Sequence, residues 1–145
     1  MSQENPVHVA LGYVFDEQNA VLLTQRPAHK TFGQLWEFPG GKLEPGESAK
    51  DAIVRELQEE LCIHVTPAVA LTPYFYTLNS GQRLCFHPIL CDWQPAELTL
   101  TEHLDSRFVP VNTLGSFPLA PPDYEAVERL KDYLQHKNAD IKGSR

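Results

Sequence analysis

The stretch from Gly41 to Ile63 constrains the structure of this chain more than any other part of its 145 residues. It combines a glycine, an arginine and four glutamates at fixed spacings, namely Gly41, Glu47, Arg55, Glu56, Glu59 and Glu60. At roughly 6% usage per residue type, a chance match to such a pattern in a chain of this length has a probability on the order of 10⁻⁵. The spacing therefore carries information about both local structure and chemistry.

The same stretch predicts a helix from Ser48 to Leu61. Ser48 and Asp51 have the spacing of a capping box, in which a side-chain oxygen accepts hydrogen bonds from amides of the first helical turn. Apolar residues then recur at every fourth position, at Ala49, Ile53, Leu57 and Leu61. We therefore expect this stripe to face the core and the adjacent helix face to remain accessible.

Three glutamates gather on that adjacent face. Glu56, Glu59 and Glu60 are related by three and four positions, so their carboxylates lie close together and repel each other. Arg55 can reach Glu59, but one arginine does not neutralise three acids. Hard oxygen ligands of this kind suit Mg²⁺ or Mn²⁺. A solvated acidic face is the ordinary interpretation of such a helix end, but the flanking glycines, Glu47 and the Arg55–Glu56 pair favour a metal site.

The pattern resembles the Nudix box, which runs from a glycine through Glu, Arg-Glu and Glu-Glu to a second glycine and an aliphatic residue. Every position matches except the second glycine, which is replaced by Cys62. A glycine there would close the helix in the left-handed conformation, which costs a cysteine about 1 kcal/mol or more, so the geometry of the helix end stays open. The resemblance implies an α/β (α+β) Nudix fold, with a mixed β-sheet sandwiched between helices.

Flanking segments extend the resemblance over most of residues 7–130. Trp36–Lys42 is similar to the segment that leads into the box in the MutT branch, whose members are nucleoside triphosphate pyrophosphohydrolases that remove oxidised or modified nucleotides. Glu102 matches a catalytic loop of the family, in which a glutamate outside the box serves as base or extra metal ligand. Leu119–Asp123 resembles a base-recognition segment of several such enzymes.

The clustered carboxylates and these resemblances together define a candidate site. The expected ligands of one to three Mg²⁺ ions are the Gly40 carbonyl, Glu56, Glu59, Glu60 and Glu102. The expected catalytic residues are Arg55, Glu56, Glu59 and Glu102. Glu102 or a box glutamate would accept the proton of the attacking water. Arg55 would orient the acids by charge-assisted hydrogen bonds. Gly41 and Glu47 would contact these residues without binding the metal themselves, and Glu47 would tie the loop to the helix.

Four further residues are candidates for substrate binding. Arg26 could meet a phosphate or be a solvated loop arginine, and Phe38 could line a base pocket or belong to the core. Lys42, at the end of the segment that leads into the box, is also expected to bind the substrate. Asp123 could face a base edge, accepting from an amino group or donating if protonated, or it could cap the last helix.

The expected reaction is Mg²⁺-dependent hydrolysis of a nucleoside triphosphate to a nucleoside monophosphate and pyrophosphate. The first-choice substrate is 8-oxo-dGTP, which would place the protein in nucleotide-pool sanitation and DNA repair. However, Phe117–Ala120 leads to a proline where relatives of that specificity often carry asparagine, so a cytidine-type triphosphate or a broad substrate range is the alternative. A non-catalytic nucleotide-binding module is disfavoured, since all box glutamates are present.

The amino-acid composition limits the classes of molecule that the protein is expected to bind. The formal net charge of −7, without a sizeable basic patch, disfavours nucleic-acid polymers and membrane surfaces. The first apolar run, Val7–Phe15, is too short to span a bilayer. Three cysteines without a CxxC pair indicate reduced thiols and a cytoplasmic location. The expected partner is a small-molecule nucleotide, and the protein would be a monomer or a homodimer.

The length predicts a single domain, residues 1–145, with residues 136–145 as a flexible tail, and the resemblance implies that it is a Nudix hydrolase domain. A hairpin turn is predicted at Asn79–Gly81. Strands are predicted at Val7–Phe15, Ala20–Gln25, Ala68–Tyr76, Leu84–Trp93 and Phe108–Pro110, and a second helix at Asp123–Gln135. Strands interspersed with two main helices predict one mixed sheet packed between the helices.

Overall fold

The computed structural model of the protein describes residues 5–143. The strands in this range are β1 (Val7–Val14), β2 (Ala20–Gln25), β3 (Trp36–Glu37), β4 (Gly40–Lys42), β5 (Val65–Ala70), β6 (Tyr74–Thr77), β7 (Arg83–Trp93) and β8 (Asp105–Pro110). Two α-helices, α1 (Ala49–Leu61) and α2 (Asp123–Gly143), and a short 3-10 helix (Val111–Ser116) complete the fold.

The strands form two sheets, whereas the sequence pattern predicted one. The larger sheet is mixed, in the order β4-β1-β7-β5, and β6 also pairs with the long strand β7. Strands β1 and β7 run parallel, and the other pairings in this sheet are antiparallel. The smaller, antiparallel sheet has the order β3-β2-β8. An isolated bridge between Phe15 and Val21 joins β1 to β2, and the two strands then enter different sheets.

The mixed sheet lies between the two helices, as the resemblance implied. On one face, α1 buries Ile53 and Leu57 in a core that includes Ala10 of β1. On the other face, α2 buries Val127 in a second core that includes Tyr13. Residues of opposite parity in β1 enter different cores because side chains alternate along a strand. Each large apolar side chain buried in this way contributes about 1.5–3 kcal/mol to stability.

Two local predictions are confirmed in the strands. Strand β2 occupies the predicted range, and β6 and β7 form the predicted hairpin. In the turn of this hairpin the Leu78 amide donates to the Gln82 carbonyl at 2.9 Å. Gly81 takes a φ of 96°, a conformation that glycine adopts without steric cost.

The single strand predicted from Ala68 to Tyr76 is wrong, because the chain forms β5 and β6 there instead. Both pair with β7, but the residues between them leave the ladder. Pro73 lies in this gap and has no amide hydrogen to donate to a neighbouring strand, so a continuous ladder is interrupted at that point. Strand β8 also begins earlier than predicted, at Asp105, because its first residues pair with the end of β2.

The last helix continues to Gly143, so the predicted end at Gln135 is wrong. Residues 136–142 contain neither proline nor glycine, and nothing in them ends the helix locally. The backbone from His136 to Gly143 is therefore helical, while residues 144–145 of the predicted flexible tail lie outside the described range. The flexibility of the tail stays a prediction. No helix within residues 5–143 is both long enough and apolar enough to cross a membrane.

Candidate active site

The box helix α1 is capped at both ends. At its start, the Ser48 hydroxyl accepts from the Asp51 amide at 3.1 Å, which confirms the predicted cap. At its end, Cys62 takes the left-handed conformation, with φ 59° and ψ 38°, and its amide donates to the Gln58 carbonyl at 3.1 Å. The cysteine thus adopts the geometry of the glycine that it replaces, at the steric cost of a Cβ in that conformation.

Arg55 is the centre of the charge network on α1. Its guanidinium donates to both carboxylate oxygens of Glu47, at 2.8 and 2.9 Å, and so ties the loop before the helix to the helix. It also donates to Glu56 at 3.0 Å, to Glu59 at 3.3 Å and to the Lys42 carbonyl of β4 at 3.1 Å. The hydrogen bonds from Arg55 lower the pKa of Glu47 to about 2. These are the contacts of a residue that orients the neighbouring acids.

The two glycines of β4 are required by close contacts. Gly40 has a φ of 154°, and a Cβ there would collide with the Ala10 carbonyl oxygen. A Cβ on Gly41 would meet the Glu56 carboxylate, with its oxygens at 2.5 and 2.6 Å. The Glu56 carboxylate therefore rests against bare backbone, and a larger residue at Gly41 would displace it.

Glu60 is the most perturbed acid of the helix. Its Oε1 is buried and has no hydrogen-bond partner. Burial, the adjacent Glu56 carboxyl and the charge of Glu37 raise the pKa of Glu60 to about 10, while a hydrogen bond from the Gly40 backbone lowers it. In the absence of a cation, these surroundings therefore favour the protonated form of Glu60.

The acids of α1 fit a divalent cation. Glu56, Glu59 and Glu60 offer the hard oxygen atoms that Mg²⁺ and Mn²⁺ prefer, and they line one cleft together. The unpaired Oε1 of Glu60 is a buried ligand atom that a cation would satisfy. The side chain of Glu59 is 59% exposed, so it can reorient toward such an ion without losing buried contacts.

The cleft has a volume of about 1040 Å³ and brings together most of the predicted site residues. Those that line it are Arg26, Phe38, Gly40, Gly41, Lys42, Glu56, Glu59, Glu60, Glu102 and Asp123. Arg55 and Glu47 are not part of the lining. Arg55 contacts Glu56 and Glu59, which do line the cleft, and Glu47 contacts Arg55. The loop and helix residues chosen from sequence thus converge on one cavity.

Glu37 belongs to this site although the sequence analysis did not assign it. Its Oε1 accepts from Arg26 at 2.6 Å, and its Oε2 lies 3.1 Å from Nε2 of the buried His103. Its charge also raises the pKa values of both Glu60 and Asp123. The available signal was a single acid in the mainly apolar segment that leads into the box. Arg26 is consequently an ion-pair partner within the cleft, not a solvated loop arginine.

Asp123 is the first residue of α2, but its carboxylate contacts a distant part of the chain. Its Oδ2 accepts from the Phe38 amide at 2.8 Å, which replaces the capping contact considered from sequence. Burial and the charge of Glu37 raise the pKa of Asp123 well above its usual range. The Phe38 ring is buried and packs edge-on against Tyr13, with ring centroids 5.0 Å apart. Phe38 is thus a core residue that also lines the cleft.

Glu102 lies at the rim of the cleft. Its carboxylate forms an ion pair with Lys30 at 3.2 Å, and both side chains are nearly half exposed. The preceding residue, Thr101, docks this loop onto α1, because its amide donates to the Glu60 carbonyl at 3.1 Å and its hydroxyl to the Glu59 carbonyl at 3.0 Å. This docking holds Glu102 on the same cleft as the box glutamates.

The fold and the site together define a class of protein: small α/β hydrolases that carry clustered acids on one helix beside a glycine-rich strand. The NUDIX domain model matches residues 5–130, so the chain belongs to the Nudix family. It is a Nudix hydrolase, and the box predicted from the sequence is part of the matched region.

Several relatives and solved structures are similar to the chain. The 8-oxo-dGTP diphosphatase of Proteus vulgaris is 45% identical over 71 residues, which are 49% of this chain and 63% of that relative, so the match spans less than two thirds of its length. The CTP pyrophosphohydrolase of Escherichia coli is 36% identical over 132 residues, which cover 88% of this chain and 93% of the relative. The solved Escherichia coli ORF135 protein superposes with a TM-score of 0.72 at 31% identity, covering 87% of this chain and 89% of that structure.

Proposed function

We propose that this protein hydrolyses nucleoside triphosphates to a nucleoside monophosphate and pyrophosphate, with Mg²⁺ or Mn²⁺ as cofactor. The observation that carries the proposal is the buried Glu60 carboxyl with its unpaired oxygen, grouped with Glu56 and Glu59 along one cleft. When bound there, the cation supplies the charge that holds a phosphate chain, polarises phosphorus and acidifies water.

The residues of the chain have distinct roles in this proposal. The acids of α1 and the Gly40 carbonyl hold the cation, and Arg55 fixes Glu56 and Glu59 through its hydrogen bonds. Glu102, on the rim, accepts the proton of the water that attacks the inner, substituted phosphorus. Lys42 and Arg26 line the cleft as cations that can approach phosphate oxygens.

Asp123 and Phe38 are proposed as the base-recognition pair. A carboxyl that is protonated in a buried site presents one donor and one acceptor, so it can pair with a base edge that offers the complementary groups. Both 8-oxoguanine and cytosine have such edges. The Phe38 ring contributes an apolar wall beside that edge.

Two substrate classes follow from the relatives. The substrate that we propose first is 8-oxo-dGTP, in a role in nucleotide-pool sanitation, supported by the Proteus vulgaris diphosphatase. A cytidine triphosphate is the second candidate. Phe38 and Asp123 are 85 positions apart, farther than the 71 residues of the diphosphatase match, whereas the 132-residue match to the CTP pyrophosphohydrolase is long enough to include both.

The test is pyrophosphate release from 8-oxo-dGTP, dGTP, dCTP, 5-methyl-dCTP, dATP and CTP, and AMP release from ADP-ribose, each with and without Mg²⁺. Metal-dependent release that favours 8-oxo-dGTP would support the first candidate, and preference for a cytidine nucleotide would support the second. Phosphate in place of pyrophosphate would contradict the proposed point of attack. Absence of turnover with every triphosphate would contradict the proposed reaction.

A further inference from the structure

A second group of potential metal ligands lies outside the acidic cleft, on β1 and β7. The ligand atoms of His8, Cys85 and His87 all lie within 4.8 Å of one another. His8 Nδ1 and His87 Nε2 are 2.9 Å apart and share a hydrogen bond, so each ring already turns one nitrogen toward the other. His8 is exposed and Cys85 is buried, which leaves the group open to solvent on one side only.

The register of the mixed sheet explains this grouping. Strands β1 and β7 are parallel neighbours, with His8 opposite Cys85 and Ala10 opposite His87. Side chains alternate across a sheet, so these three residues share the face that carries α1. The alternate residues of the same strand segments line the acidic cleft on the other face of the sheet: Val7, Val9, Leu84 and Phe86. The group is therefore on the reverse side of the strands that form part of the cleft wall.

The ligand types differ from those of the acidic cleft. Two imidazoles and one thiolate are borderline to soft ligands, which suit Zn²⁺ or Co²⁺ and do not suit Mg²⁺. Tetrahedral coordination with Zn–N bonds of about 2.0–2.1 Å separates two nitrogens by about 3.3 Å. The observed 2.9 Å is a few tenths of an ångström shorter, and the exposed His8 ring can move by that amount.

We propose that His8 Nδ1, Cys85 Sγ and His87 Nε2 form a transition-metal site of the Zn²⁺ type that links β1 to β7 and is separate from the acidic cleft. Three protein ligands leave a fourth tetrahedral position for water. Binding releases the proton of the Cys85 thiol to solvent. It also breaks the hydrogen bond between the two histidines, and the proton of that bond moves to the other nitrogen of its own ring, so that both rings bind as neutral imidazoles. The site does not depend on the proposed hydrolase reaction, since none of its ligands is a residue assigned to that reaction.

The experiment is titration of the full chain with Zn²⁺ against a chromophoric chelator, and with Co²⁺ as a spectroscopic probe, both in excess Mg²⁺. We expect one Zn²⁺ per chain and a thiolate-to-Co²⁺ charge-transfer band. The His8→Ala variant should bind Zn²⁺ on the order of 100-fold more weakly, and Cys85→Ser should lose the band. His64→Ala and Cys62→Ser change an exposed histidine and an exposed thiol outside the group, so both should bind as the wild type does.

The exposed position of His8 keeps the test independent of folding, because His8→Ala removes a ligand without opening a core cavity. Wild-type Zn²⁺ affinity in His8→Ala would overturn the proposal, and so would a wild-type Co²⁺ spectrum without a thiolate band. Loss of Zn²⁺ binding in Glu59→Gln with retention in His8→Ala would assign the ion to the acidic cleft and would also overturn it. If His8 and His87 share a hydrogen bond but bind no metal, His8→Ala should have the same Zn²⁺ affinity as the wild type.

Discussion

Single side chains in the cleft are held in states that they would not adopt in water. Glu60 has a buried Oε1 without a partner, and Asp123 is buried against the Phe38 amide. Outside the cleft, at the end of α1, Cys62 has a left-handed backbone conformation. Each of these states has an energetic cost. Single substitutions therefore separate the roles of these residues.

Replacing Glu59 by glutamine should lower kcat by about 100-fold or more, because it removes a charged ligand whose ion stabilises the transition state by several kcal/mol. The fold should be unaffected, since the Glu59 side chain is largely exposed. Steady-state pyrophosphate release and thermal unfolding measure the two effects. Glu128→Gln, on an exposed position of α2, is the matched control and should keep wild-type turnover. Near-wild-type kcat in Glu59→Gln would remove this residue from the site.

Cys62→Gly should raise the free energy of unfolding by about 1 kcal/mol or less, because relief of the left-handed strain outweighs the entropy gained by the unfolded chain. Asn19 has a similar φ of 63°, but asparagine tolerates this region better, so Asn19→Gly should gain less. Denaturant unfolding of both variants makes the comparison. A destabilised Cys62→Gly protein would show that the thiol side chain contributes packing that outweighs the strain.

Asp123→Asn should keep far more activity than Asp123→Ala, because an amide retains one donor and one acceptor at the position of a neutral carboxyl. The alanine variant should raise KM for the preferred nucleotide by about 10-fold or more. The ratio of kcat/KM values for 8-oxo-dGTP and CTP measures the effect on base choice. Equal loss in both variants would indicate that the ionised carboxylate is the form that binds the base.

At the scale of secondary-structure elements, the site depends on how α1 is joined to β4 and to the loop between them. Arg55 contacts Glu47 in the loop, Lys42 in the strand and two acids of its own helix. Glu47 also accepts from the Glu44 amide at 2.9 Å, which closes the loop on itself. Arg55 and Glu47 thus fix the relative positions of β4, the following loop and α1.

Glu47→Gln should reduce kcat by about 10-fold, because loss of the charged partner frees Arg55 and misorients Glu56 and Glu59. Glu44→Gln is the matched control, since Glu44 is exposed and lies 3.8 Å from Arg55. The Arg55 hydrogen bonds lower the pKa of Glu47 to about 2. Its contribution to stability is therefore present above its ordinary pKa and lost as the pH falls toward about 2, a loss that Glu47→Gln should not show in acid titration.

At the scale of the whole molecule, the cleft joins residues whose burial depends on both sheets and both helices. Glu60 comes from α1, Glu37 from β3 and Asp123 from α2, and their charges act on one another. Burial of several acids close together in one cleft favours their protonated forms. We therefore expect the stability of the folded protein to depend on pH and, if the proposed cation binds, on that cation.

Without divalent ions, the protein should become progressively less stable as the pH rises from the ordinary glutamate pKa of 4.5 toward about 10. The pKa of Glu60 is raised to about 10 and that of Asp123 is also raised, so the native state binds more protons than the unfolded state. This contribution is complete below the unfolded pKa values and is lost as the pH rises toward the folded ones. Thermal unfolding in EDTA measures it. Mg²⁺ should reduce the loss and Glu60→Gln should flatten the profile; an unchanged Tm across this range would contradict the assignment.

The sequence by itself determined the box helix, its N-terminal cap, the β6–β7 hairpin and the face on which the three glutamates meet. All of these depend on contacts between residues a few positions apart, which spacing and residue type specify directly. Local spacing also predicted many of the residues that line the cleft. This was possible because β4, the following loop and α1 are consecutive in the chain.

Only the tertiary structure decided that Glu37 joins Arg26 and His103, that Asp123 contacts Phe38, and that Lys30 pairs with Glu102. It also decided the division into two sheets and the register that brings two histidines and a cysteine together. The Asp123–Phe38 contact joins residues 85 positions apart. Such contacts arise from the packing of whole elements, and no periodicity within a single element encodes them.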